Sequence, residues 1–288
     1  MANLRNLISE IITENLRKPL ISECVVAGGQ AANNNILAKT RDRNYKPKLK
    51  IVRELYPNGT EVVFMYDGKT KFLEGMNSHG IGILNSTLMV YEDENPLESG
   101  TQSSYGDAII EALLKKDIQE AMDILGNPKT GVEGHTYIGS PEEIFIIERT
   151  GHHDTILNRL DPAAGFSVRT NHGIAHKDAG YTFAEKPDDY KSSKIRKSTT
   201  EMNLKNVNSF MDVAPAMLSR SYKKESNFNT FRRTDNLRTS SQVVMNLPGK
   251  EFLFYIFPNE CDFSGIEDNT PDGYEPLIKI KVFQWNEK

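Results

Sequence analysis

The chain is 288 residues long with 38% apolar and 26% charged residues, enough to bury a sizeable core in one large domain. Its 35 basic and 39 acidic residues are interspersed and leave a formal charge of -4, which gives no electrostatic case for nucleic acid or an anionic membrane as partner. Cys24 and Cys261 form no C-x-x-C pair, no apolar run approaches the ~18 residues of a membrane span, and Arg5, Glu10, Glu14, Arg17 and Lys18 break any signal-peptide core, so a reducing, cytoplasmic setting is expected.

In chain order, Leu4, Leu7, Ile8, Ile11, Ile12 and Leu16 recur at helical spacing between Asn3 as N-cap and Pro19 as stop. Residues 1–23 therefore read as an amphipathic helix, packed on the surface or serving as a pro-segment over a site. Cys24 to Gly29, a small and Asn-rich turn, and Ile36 to Tyr45 read as two adjacent strands that bring Cys24 near Asp42. Lys50 to Tyr56 and Glu61 to Tyr66 flank Pro57-Asn58-Gly59-Thr60, a second hairpin turn. Asp67-Gly68 then turns the chain into the stretch Phe72 to Thr87.

Ser104 is expected to cap a helix carrying Ile109, Ile110, Leu113 and Leu114, and Asp117 with Glu120 a second one that ends near Gly126. His135 to Ile138, Glu143 to Glu148, Thr155 to Leu160 and Phe166 to Arg169 read as short strands. Pro187 opens a further helix, and Thr239 to Leu247 with Glu251 to Phe257 form a hairpin through Pro248-Gly249. Blocks of strands and helices in this alternation give an α+β fold.

Five landmarks fall in one order: Cys24 with Lys39-Thr40-Arg41-Asp42 after it, Gly75-Met76-Asn77-x-x-Gly80 followed by Asn85, Thr170-Asn171-His172, Ser193-Lys194-Ile195-Arg196, and the last hairpin. The order resembles that of the cysteine N-terminal-nucleophile (Ntn) hydrolases of the choloylglycine hydrolase and acyl-coenzyme A:6-aminopenicillanate acyltransferase type, over about residues 24 to 257. The resemblance implies a four-layer αββα sandwich of two mostly antiparallel sheets, formed by residues 24–288 as one domain. It implies Cys24 as nucleophile after a cut between Glu23 and Cys24, with Asp42 and the basic residue Lys39 behind it. Asn85 would face the nucleophile, Asn171 would help to hold the oxyanion, and Arg196 is the matched basic residue, with Lys194 as its rival. In relatives with a pro-segment the residue before the nucleophile is often small, and here it is Glu23.

A thiol with an ordinary pKa of about 8.5 needs a base at neutral pH, and an α-amine freed at Cys24 by the cut, with a pKa of about 8, supplies one. Asp42 would orient that amine, Lys39 or Arg196 would favour the thiolate or fix Asp42, and the Asn85 and Asn171 amides would donate to the tetrahedral oxyanion. The expected reaction is cleavage of a linear, non-peptide amide through a thioester, or transfer of its acyl group, with a small-molecule amide or acyl donor as partner. No cofactor is required, and association into a homo-oligomer is left open. His172-x-x-x-His176 lacks the Glu of a zincin and Gly173 interrupts it, so no metal site is expected, and Cys261 reads as a bystander. Two other readings stand beside this one: a non-catalytic domain that keeps its first 23 residues, and a Cys-His hydrolase using His172.

Overall fold

Ala32 and Asn33 both take positive φ, 48° and 63°. Two such residues make the hairpin turn whose twist matches that of its strands. They close β1 (Ser22–Ala31) onto β2 (Asn34–Arg43) with Cys24 opposite Arg41 and Glu23 opposite Asp42. The structure is a computed structural model that describes residues 22–88, 101–127, 129, 131–150, 153–222, 226–234 and 236–285. The helix expected over residues 1–23 lies almost wholly outside them; Ser22 and Glu23 belong to β1.

The next strands are β3 (Lys48–Leu55), β4 (Glu61–Asp67), β5 (Leu73–Asn77) and β6 (Gly82–Ser86). Helices α1 (Thr101–Leu113) and α2 (Ile118–Leu125) follow, then β7 (Gly134–Gly139), β8 (Ile144–Thr150), β9 (His153–Arg159) and β10 (Ser167–Arg169). The chain closes with α3 (Pro187–Leu204), α4 (Phe210–Met217), β11 (Arg238–Asn246), β12 (Glu251–Ile256), β13 (Asp262–Asn269) and β14 (Lys279–Gln284). The Asp117 side chain caps α2 as expected, accepting from the Gln119 and Glu120 N–H groups at 2.8 and 3.1 Å. α1 begins at Thr101, so Ser104 lies inside the helix instead of capping it.

Two sheets result, in the orders β10-β1-β2-β11-β12-β14 and β13-β3-β4-β5-β6-β7-β8-β9. Pairing is antiparallel except for β12 with β14 and β13 with β3. The pleat sends alternate side chains to opposite faces. Val26, Leu37, Val243 and Phe254 of the first sheet thus meet Leu49, Met65, Met76 and Tyr137 of the second in a core between the sheets. The outer face of the second sheet packs Ile83, Ile138 and Ile147 against Ile109, Leu113 and Leu125 of α1 and α2. That of the first packs Val25, Ala27 and Val244 against Leu204, Val213 and Met217 of α3 and α4. The fold is α+β in four layers, helices outside two face-to-face sheets. Among the described residues no helix is long and apolar enough to cross a membrane.

Candidate active site

Cys24 lies near the start of β1, 1% exposed. The pleat fixes what each neighbour can do, because residues across from Cys24 and Val26, namely Arg41 and Lys39, share the face toward the second sheet, while Glu23 and Asp42 share the face toward the helices. A different buried charge cluster occupies each face.

On the inter-sheet side, Arg43 directs Nη1 at the Cys24 sulfur, 3.8 Å away, and is held by the Asp42 carbonyl at 2.8 Å. Its Nε donates to Tyr45 at 3.1 Å, and Tyr45 donates onward to Asp67 Oδ2 at 2.8 Å. Lys39 and Arg41 both donate to Glu74 Oε1 and lie over the Phe72 ring. Arg41 Nη1 is also 3.7 Å from Asp67. Burial pulls the Lys39 amine below its ordinary range, against the pull of Cys24 and Glu74. Burial alone would raise the Glu74 carboxyl, but Arg41 and Lys39 hold it low. Lys39, Arg41 and Arg43 thus share this face with the carboxyls of Glu74 and Asp67, and of the three it is Arg43 that points at Sγ.

On the helix side, Glu23 accepts from Arg196 at 2.7 Å, from Arg232 at 2.8 Å and from the Tyr181 hydroxyl at 2.8 Å. Burial would raise its carboxyl, yet Arg232 and Arg196 hold it below the usual carboxylate range. Asp42 fares otherwise: Arg232 and Arg196 stay at 3.6 and 3.9 Å, Thr239 donates at 2.7 Å, and burial wins, pushing the carboxyl up. Two cations here meet two carboxyls.

The two clusters join at the Cys24 backbone. Its N–H donates to Asn171 Oδ1 at 3.3 Å, and its carbonyl accepts from Arg196 at 3.3 Å. Arg196 also donates to Asn171 Oδ1 at 3.2 Å. The strand β10 and the turn after it carry Asn171, whose own N–H donates to Ser193 of α3 at 3.0 Å, and its Nδ2 donates to the Thr87 carbonyl at 2.9 Å. Asn171 therefore reaches Cys24 through its acceptor oxygen, not through the amide protons an oxyanion would need.

Of the sequence-expected residues, Cys24, Asn171, Arg196 and Asp42 come together, and Lys39 lies on the thiol's face but turned to Glu74. Arg196 is buried against the Cys24 carbonyl, while Lys194 is exposed over the Tyr190 ring. Asn85 is not brought to Cys24. It shares a face with Ile83, toward α1 and α2, and its Nδ2 donates to the Glu133 carbonyl at 2.9 Å and Thr136 Oγ1 at 2.8 Å. The period of two along β6 gives the inter-sheet face to Leu84, and so to its parity partner Ser86, instead.

His172 has Nδ1 at 2.8 Å from Ser193 Oγ and 3.1 Å from Thr170 Oγ1, and burial with the nearby His135 brings it down to about 3. It is a neutral brace of the Asn171 turn. Cys261 has its sulfur 3.7 Å from the Phe257 carbonyl, and burial pushes the thiol up to about 12, as suits an inert core thiol. Among the described residues no three His, Cys, Asp or Glu side chains gather as a metal site requires.

Arg43, Glu74, Arg232 and Tyr181 are residues around Cys24 that the sequence reading missed, and Glu23 entered it only as the residue before the cut. A signal existed for Arg43: Lys39, Arg41 and Arg43 alternate along a strand of otherwise apolar and small residues, so they had to share one face. Arg232 comes from a loop and Glu74 from another sheet, and no local pattern marks either.

No protein-family model matches the chain, and no curated protein does. Among solved structures the chain is similar to penicillin V acylase from Agrobacterium tumefaciens, with a TM-score of 0.44 and 11% identity over 85% of this chain and 95% of that one. A likeness of that degree says nothing about chemistry, which rests on the residues above.

Proposed function

We propose that the protein is a cysteine Ntn hydrolase that cleaves a linear amide, or transfers its acyl group, through a Cys24 thioester after a cut between Glu23 and Cys24. The observation that carries the reading is the buried Arg43 guanidinium, whose Nη1 is directed at the Cys24 sulfur from 3.8 Å. A cation so placed stabilises negative charge as it develops on sulfur during attack, and buried charges are retained where they are paired or where they serve a site. Cys261, with a carbonyl for its sulfur's partner, shows what a merely structural cysteine in this chain looks like.

In the cut, the Cys24 sulfur adds to the Glu23 carbonyl carbon, the carbon–nitrogen bond breaks, and the nitrogen takes the thiol's proton. Water then adds to the thioester, and the carbon–sulfur bond breaks to release Glu23 as a carboxylic acid and restore the thiol. Asn171 Oδ1, which already accepts from the Cys24 N–H, would hold the new amine, and Asp42 would sit behind it through Arg196. The runner-up, a non-catalytic chain that keeps residues 1–23, draws support from the three bonds that fix Glu23 in place. A Cys-His mechanism has less to recommend it, because His172 Nδ1 is engaged by Ser193 and Thr170.

The test is the intact mass of the purified chain beside a Cys24→Ala variant made the same way. Loss of residues 1–23 from the parent alone is expected. A parent that stays whole on prolonged incubation refutes the free-amine mechanism and favours the runner-up.

A further inference from the structure

Self-cleavage makes the residue before the cut the chain's own first acyl group. The place where Glu23 sits is therefore the place where an acyl chain attached to Cys24 must lie, and that place is furnished for a carboxylate. Arg196 and Arg232, 0% and 1% exposed, and Tyr181 converge on the Glu23 carboxylate at 2.7 to 2.8 Å.

The two guanidinia have anchors besides Glu23. Arg232 Nη2 also donates to Ser192 Oγ at 2.9 Å and to the Asn227 carbonyl at 3.1 Å. Arg196 is held by the Cys24 carbonyl and Asn171 Oδ1 at 3.3 and 3.2 Å. When Glu23 departs, the two buried guanidinia retain these anchors, with Asp42, itself driven toward its neutral form by burial, as their nearest carboxyl and Asp189 in the field of Arg232 farther off. A buried, uncompensated cation demands an anion, and donors already fixed in place bind one without a large ordering cost.

We propose that the space vacated by Glu23 is the acyl subsite of the processed protein, selecting amides whose acyl chain ends in a carboxylate, of glutaryl or glutamyl type. The assignment rests on the proposed cut before Cys24 and adds the substrate class. Neutral acyl chains of the same length would leave Arg196 and Arg232 with no carboxylate in hydrogen-bond contact, Asp42 staying at 3.9 and 3.6 Å.

The experiment compares glutaramate with glutaramide, which match in shape and differ in one charge, on the processed protein freed of its released segment by gel filtration. Affinity is read by titration calorimetry, or kcat/KM where the amide is cut. Glutaramate is expected to be favoured by at least about tenfold. Arg232→Met should bring the ratio close to one, and Tyr181→Phe, which keeps the ring and loses one donor, should reduce it by roughly threefold and stands in if the first variant fails to fold. Equal handling of the two amides, or binding of neither, by a processed chain overturns the subsite while leaving the Ntn mechanism standing. A chain that is never cut overturns both.

Discussion

Glu23→Gln, placed in a Cys24→Ala background so that residue 23 remains in the chain, isolates the helix-side cluster. The substitution keeps shape but removes the charge that Arg196 and Arg232 hold at 2.7 and 2.8 Å. Breaking a buried pair by neutralising one partner costs about 3–5 kcal/mol, because a charge is left uncompensated. Asp42 Oδ2, already 3.6 and 3.9 Å from the same guanidinia, can take over part of the pairing, which places the expected loss at the low end, about 3 kcal/mol. For a chain of this size that is a fall in Tm of roughly 5 °C. The sign with pH follows from the direction of the shift. The folded Glu23 carboxyl lies below its ordinary 4.5, so its contribution is complete above that value and disappears as pH falls through the lower folded one. Urea unfolding of the two proteins at pH 7 and again near pH 4 should show the gap narrowing toward acid. A difference under about 1 kcal/mol at pH 7 would mean that the cluster is not the tight ion pair described, and would remove the ground for the acyl subsite.

Three further substitutions separate site from scaffold. Asn85→Ala should destabilise the fold by about 1–3 kcal/mol in urea, since the buried Thr136 hydroxyl and the part-buried Glu133 carbonyl lose their donor, yet leave the half-time for release of residues 1–23 within about twofold. Loss of an oxyanion donor would instead slow it about 100-fold or more. Arg43→Met should lengthen that half-time by at least about tenfold, because a cation 3.8 Å from a buried sulfur no longer faces the developing thiolate, and an unchanged time course by mass spectrometry would discount the inter-sheet cluster. Lys194→Ala should alter neither stability nor cutting, whereas Arg196→Ala should cost about 3–5 kcal/mol and abolish the cut; equal effects would contradict the assignment of Arg196.

The hairpins were readable because their turns carry local chemistry. Gly59 after Asn58, and Asn33 with Ala32, take positive φ, and the strand alternation around them then fixes which residues share a face. The site was readable only where it follows from that alternation. Cys24 and Lys39 fall on one face by counting along β1 and β2, but counting along β6 would equally have set Asn85 beside Ile83 and away from the inter-sheet core, had the buried face of that strand been known. β13 and β14 escaped the reading because both run along sheet edges with exposed, charged residues, and their parallel pairings join segments far apart in the chain. Glu23 was legible as an oddity in sequence and intelligible only in space, since its three partners are 158, 173 and 209 residues away.

One strand thus separates two electrostatic environments, and a cut between residues 23 and 24 would act on both. Before it, the helix side is balanced, Glu23 and Asp42 against Arg196 and Arg232. Afterwards the Glu23 charge is gone and an amine appears at the Cys24 nitrogen, beside Asn171 Oδ1 and within the field of both guanidinia. Protonating that amine would add a third cation to a buried group with one carboxyl, so the same desolvation and like-charge repulsion that depress buried lysines would favour the neutral amine, the form that accepts a proton from the thiol. On the opposite face Arg43 stands 3.8 Å from the sulfur that gives up the proton. Proton transfer from sulfur to nitrogen is then helped by that cation on the inter-sheet side and opposed on the helix side, where the amine gains its charge among two guanidinia, and the pleat that puts Glu23 and Cys24 on opposite faces is what allows one peptide bond to feel both fields.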